Sequence, residues 1–188
     1  MTAAEPLYQR HWINVDEYRQ MGEARIFGED DRVELIDGEI IDMPPIGSWH
    51  AAAVKRLVDR MQPLTGPDAI LSVQDPIRLG DFTEPEPDIA LLRRRDDYYA
   101  AAHPTAADVL LIVEVAESSL RYDRDKKLPL YARAGIPEVW LVDLNGRVLW
   151  VYRQPGMDGY AEARRADDLS VMAPLELPGR VCDLSGLV

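Results

Sequence analysis

Glu114 stands inside an apolar run, Val109-Leu110-Leu111-Ile112-Val113-Glu114-Val115, whose β-branched and leucine content is that of a strand covered on both faces. A carboxylate in that setting must be paired, protonated or metal-bound, because an isolated buried charge is too costly to keep. Pro87-Asp88 opens a second apolar run, Ile89-Ala90-Leu91-Leu92, and Asp123-Arg124-Asp125-Lys126-Lys127 follows the first. Two carboxylates with a backbone carbonyl or water suit Mg²⁺ or Mn²⁺, hard cations that take oxygen ligands. Such an ion lowers the pKa of bound water and stabilises charge on a phosphate, with lysine assisting electrostatically. The alternative is a structural ion pair between Lys127 and Glu114 or Asp88.

The elements that position these groups can be read from pattern. Asn14-Val15-Asp16-Glu17 is a capping box for a short helix to about Met21. Val33–Ile36 and Glu39–Asp42 flank Asp37-Gly38, a two-residue turn suited to a type I′ hairpin that Pro44-Pro45 ends. Ser48 is placed to cap a helix from Trp49 to about Met61. A strand over Ala69 to about Leu79 is interrupted by Asp75-Pro76, which favours an edge. A helix after Glu114 ends near Ala134, with Gly135 at its C-cap, and Glu138–Asp143 forms the next strand. Strand, helix and strand in that order predict a parallel crossover. Asn145-Gly146 starts a hairpin into Arg147–Tyr152. The fold class is α/β, a mixed central β-sheet flanked by helices.

Facing refines the candidates. Alternation puts Glu114 on one face with Ile112 and Leu110, and Asp88 with Ala90 and Leu92. The two acids meet if their strands are antiparallel neighbours. At about 100° per residue, Leu120, Asp123, Leu130, Tyr131 and Ala134 lie within roughly 60° of Lys127. Lys127 therefore shares the face that packs on the sheet, while Lys126 falls toward solvent. Pro129 disfavours a helix interior and predicts a late start or a kink.

Composition narrows the class. The chain has 188 residues, 47% hydrophobic and 29% charged, as in an ordinary globular protein. No stretch approaches the roughly 20 apolar residues that span a bilayer, so no membrane partner is expected. The N-terminus lacks the regions of a signal peptide, and the single Cys182 excludes an internal disulfide; a cytoplasmic location is expected. A net charge of -12 opposes nucleic-acid binding through a general basic surface, and Arg93-Arg94-Arg95 is a local exception that also reads as a solvated loop. His11, His50 and His103 have no ligand spacing, and His50 reads as packing or capping. Ser118-Ser119 lacks a nucleophile elbow, and neither common Gly-rich phosphate loop occurs.

Val33-Glu34-Leu35-Ile36-Asp37-Gly38-Glu39, Pro87-Asp88, and Glu114-Val115 followed by Asp123 and Lys127 resemble the Uma-two family of restriction-endonuclease-like proteins. So do Tyr131-Ala132-Arg133-Ala134-Gly135-Ile136-Pro137-Glu138 and Trp140-Leu141-Val142-Asp143. The resemblance implies a PD-(D/E)xK nuclease-like fold over one domain, residues 1–188, with residues 1–13 as an N-terminal arm. It implies an endonuclease that hydrolyses DNA with Mg²⁺ or Mn²⁺. Asp88 then corresponds to the motif's aspartate, Glu114 to its second acid, both metal ligands, and Glu34 to the N-terminal acidic position. The motif's lysine belongs at residue 116, where this chain has alanine, so Lys127 takes that role from the following helix. It also implies that a His after the Pro-rich segment lies near the site. A homodimer is expected by analogy with nucleases that cut two strands. The substitution at Ala116 and the acidic balance leave a second reading open, a non-catalytic nuclease-fold binding module or a subunit of a larger DNA-acting complex.

Overall fold

The computed structural model describes residues 8–28 and 30–188; residues 1–7 of the expected arm lie outside the described residues. Helix α1 spans Val15–Glu23 and begins with the reciprocal cap expected: Asn14 Oδ1 accepts from the Glu17 amide, and Glu17 Oε2 accepts from the Asn14 amide, each at 2.9 Å. Strands β1 (Val33–Ile36) and β2 (Glu39–Asp42) form a two-stranded antiparallel hairpin. Its turn residues Asp37 and Gly38 have φ of 48° and 79°, the left-handed pair that a type I′ turn requires.

Helix α2 covers Ser48–Met61. Ser48 is its first residue and not its cap; Gly47 holds the cap position without a side-chain bond. Glu117 Oε2 instead accepts from the His50 amide at 3.3 Å, satisfying one of the donors that a helix start leaves open.

The main sheet has six strands in the order β3-β4-β5-β6-β7-β8. They are β3 (Ala69–Val73), β4 (Ile89–Arg93), β5 (Val109–Ala116), β6 (Glu138–Asp143), β7 (Val148–Gly156) and β8 (Gly159–Arg165). β5 and β6 are parallel and every other neighbouring pair is antiparallel, so the sheet is mixed. β3 is an edge strand that stops at Val73, ahead of the expected Asp75-Pro76 break. All residues of β5 are buried, which is what its unbroken apolar composition requires of a central strand.

Helices cover both sheet faces. Ala53, Val54, Leu57 and Met61 of α2 pack in one apolar cluster with Leu111, Val113 and Trp140. The opposite cluster joins Leu128 and Tyr131 to Ile112, Ala116 and Leu141. Leu110 departs from the expected alternation and packs in the α2 cluster, because the β4–β5 register slips between Leu91 and Leu92.

The second face is covered by a helical run in three parts, α3 (Leu120–Tyr122), a π-type stretch over Asp123–Lys127, and α4 (Leu128–Arg133). The helix thus begins before Asp123, not late, and Pro129 is the second residue of α4, just past the π-type stretch where the regular bonding ladder changes. The wider π turn holds Asp123 and Lys127 on the buried side, each at most 5% exposed, while Lys126 faces solvent.

Candidate functional site

β4 and β5 place the two acids together. They are antiparallel neighbours with Ile89 opposite Val113, so Asp88, the residue before β4, stands opposite Glu114. Val115 donates its amide to Asp88 Oδ2 at 2.9 Å, and the Asp88 amide lies 3.4 Å from Glu114 Oε2. Both acids line a cleft of about 500 Å³ between the β1–β2 hairpin, the start of α2 and the π-type stretch. Glu34, Glu86, Asp123 and Lys127 share its lining, and Met43, Pro44, Pro45 and Ile46 form an apolar wall.

Lys127 Nζ lies 3.3 Å from Glu114 Oε1 and 3.3 Å from Glu34 Oε2, and 3.4 Å from the Glu86 carbonyl. Glu34 is fully buried, and its other oxygen accepts from Tyr122 at 3.0 Å. The four residues singled out from sequence, Asp88, Glu114, Lys127 and Glu34, converge on one cleft. Ala116 is fully buried on the Glu114 face, packed with Leu128 and Tyr131. Its small side chain leaves the helix room to bring Lys127 in.

Two side chains missed as functional candidates complete the constellation. His50 Nε2 is 3.1 Å from Asp88 Oδ2, and Tyr131 donates its hydroxyl to Glu114 Oε1 at 2.5 Å. The helical facing had already put Tyr131 beside Lys127. The His50 contact spans 38 positions, and only the resemblance hinted at it.

The electrostatics follow from burial. Burial pushes Glu114 up to about 8 against the pull of Lys127, with Asp123 and Asp88 adding to the rise. Asp123 is likewise pushed up to about 6 by burial. Burial works against the Lys127 cation, but Glu114, Glu34, Asp123 and Asp88 more than offset it and hold its pKa above the ordinary lysine value. Asp88 is raised by burial yet ends below its ordinary value, because His50 and the Val115 amide bond its charged form. Lys127 alone does not neutralise Glu34, Glu86, Asp88, Glu114 and Asp123, so protons, His50 or a further cation must share the balance.

The donor set fits a hydrated divalent ion. Mg²⁺ usually keeps several waters and takes one or two carboxylates, and Asp88 and Glu114 supply two hard oxygen groups. Among the described residues no group of three or more His, Cys, Asp or Glu side chains is arranged to hold a metal, so an all-protein cage is not what this cleft provides. An ion entering would compete with Lys127 and Tyr131 for Glu114.

A mixed sheet between helices, with a cleft opening where Asp88 faces Glu114, is a restriction-endonuclease-like α/β fold. The sequence profile of the Uma2 family, described as "Putative restriction endonuclease", matches residues 15–185, and the chain belongs to that family. No curated protein matches it. Among solved structures, it is similar to a putative nuclease belonging to DUF820 from Anabaena variabilis. The two share 20% identity at a TM-score of 0.64, over 87% of this chain and 89% of that one, which is a likeness of fold. No helix among the described residues is long and apolar enough to cross a membrane.

Proposed function

We propose that the protein is an endonuclease that hydrolyses DNA phosphodiester bonds with Mg²⁺ or Mn²⁺ at the Asp88–Glu114 cleft. The carrying observation is the register that sets Asp88 opposite Glu114 with the buried Lys127 cation 3.3 Å from Glu114. Asp88 and Glu114 would hold the ion, and Glu34 acts through Lys127 or a water. When bound, the ion acidifies a water and offsets phosphate charge. Lys127, kept cationic by the surrounding acids, orients the attacking water or neutralises a phosphate oxygen. Water adds to phosphorus and gives up a proton to solvent as one ester bond breaks, and the departing oxygen takes up a proton in turn.

The net charge of -12 makes cation supply part of the reading. In the arginine cluster Arg93 pairs with Glu176 at 3.2 Å and Arg95 with Asp97 at 2.8 Å, while Arg94 bonds the Gly66 carbonyl and the Tyr98 hydroxyl, so the cluster is a small cationic patch on an acidic protein. DNA binding should therefore be weak without a divalent ion, and with few Lys/Arg–phosphate contacts its fall with added salt should be shallow. The test is cleavage of supercoiled plasmid by purified protein in Mn²⁺. Wild type nicks or linearises the plasmid and Glu114→Ala does not; linearisation in one event would favour two copies acting together. Equal cleavage by the variant would overturn the assignment.

A second reading, a non-catalytic module or subunit on the nuclease fold, is favoured by one observation: Lys127 and Tyr131 already occupy Glu114 Oε1. It requires that Mn²⁺ leave the melting temperature unchanged, whereas an ion that binds the folded state raises it with concentration.

A further inference from the structure

Asp88 and Glu114 are each held by a side chain that has no evident task of its own. Tyr131 is fully buried in α4, and its hydroxyl ends on Glu114 Oε1. The carboxylate oxygen accepts, so the phenol is the donor of that bond. Lys127 approaches the same oxygen from one turn earlier, which leaves Oε2, only 3.4 Å from the Asp88 amide, with spare lone pairs.

His50 comes from α2, on the opposite face of the sheet. Its side chain is 14% exposed and reaches Asp88 Oδ2 through Nε2. Its Nδ1 is buried with no hydrogen-bond partner among the described residues, so the Asp88 contact is the one side-chain bond the ring makes there. Asp88 Oδ2 also accepts from the Val115 amide, and Oδ1 lies 3.2 Å from Gln74 Nε2. Helices on both faces of the sheet thus clamp one carboxylate each.

We propose that His50 and Tyr131 are positioning residues, each occupying one oxygen of one acid and fixing its rotamer, so that the pair is set for a divalent cation before the cation arrives. The proposal rests on the reading of Asp88 and Glu114 as metal ligands. It gives the tyrosine of the Tyr131-Ala132-Arg133 segment and the histidine after Pro44-Pro45 a shared task that neither motif reveals alone. Hydrogen-bonding partners of ligands orient them, and their loss typically costs about 10–100-fold in metal affinity or activity.

The test is a Mn²⁺ titration of the full chain, with free ion read by electron paramagnetic resonance and the metal-free melting temperature measured in parallel. Tyr131→Phe and His50→Ala should bind Mn²⁺ about 10–100-fold more weakly than wild type. His50→Gln, whose amide nitrogen can stand in for Nε2, should recover most of the affinity with the same metal-free melting temperature as His50→Ala. A purely structural role would move melting and leave this rescue absent. Wild-type affinity in both Tyr131→Phe and His50→Ala overturns the proposal while the metal site stands. If Tyr131→Phe does not fold, the two His50 variants decide, and equal affinity between them overturns it. No Mn²⁺ binding by wild type, or equal binding by Glu114→Ala, removes the metal-site reading itself.

Discussion

Replacing Lys127 with methionine removes the one buried cation between Glu34 and Glu114 while keeping most of the side chain's volume. The lysine is 6% exposed and its partners 0% and 3%, so water cannot take over its charge. A further carboxyl must then fold in its protonated form. For a glutamate with an ordinary unfolded pKa, protonation at pH 7 costs about 3.5 kcal/mol at 1.36 kcal/mol per unit. That falls within the about 3–5 kcal/mol expected when one partner of a buried pair is lost. Proton uptake on folding is easiest in acid, so the deficit shrinks by about 1.4 kcal/mol per unit as pH falls, to about 1 kcal/mol at pH 5, and grows as pH rises. Urea unfolding of wild type and Lys127→Met at pH 5, 7 and 8 measures this directly. Thermal unfolding at pH 7 should drop by about 7–14 °C for a chain of this size. Lys126→Met, altering an exposed neighbour, should stay within about 0.5 kcal/mol of wild type. A Lys127 deficit below about 1 kcal/mol at pH 7, independent of pH, would refute the reasoning that this cation neutralises buried acids.

Other perturbations probe the scaffold. Glu138 is fully buried and accepts from Trp140 Nε1, from Arg153 and from the Leu175 amide; Glu138→Ala strands these donors and should cost about 3 kcal/mol in urea unfolding. Burial pushes the Cys182 thiol up to about 11, so a disulfide reagent at pH 8 should leave the native protein unlabelled and titrate one thiol after denaturation. Gly38→Ala would put a Cβ 2.8 Å from Trp12 Cβ at a φ of +79°, and should cost at least about 1 kcal/mol by the same unfolding assay.

Local signals carried far in this chain. Asp37-Gly38 announced its hairpin, Asn14 with Glu17 its cap, and periodicity separated Lys127 from Lys126. Each depends on residues within a turn or two of one another. What escaped prediction was set over distance. Glu34 could not be assigned to Lys127, 93 positions away, because nothing in β1 specifies which helix will cover it. His50 looked like a packing residue because its partner lies 38 positions on, across a strand and a loop. Leu110 left its face through a slip in register with β4, a property of the pair rather than of either strand. The helix after Glu114 was foreseen, but not its π-type stretch, which ends one residue before the turn that holds Pro129 and keeps Asp123 and Lys127 on the buried side.

The central claim is that Asp88 and Glu114 share a divalent cation. It is tested most directly by a crystal structure of the protein soaked in Mn²⁺, with the ion located by anomalous scattering. One peak is expected in direct contact with a carboxylate oxygen of each residue, with Lys127 Nζ no longer at 3.3 Å from Glu114 Oε1. A Mn²⁺-saturated crystal with no peak in the cleft and the Lys127–Glu114 pair intact would contradict it.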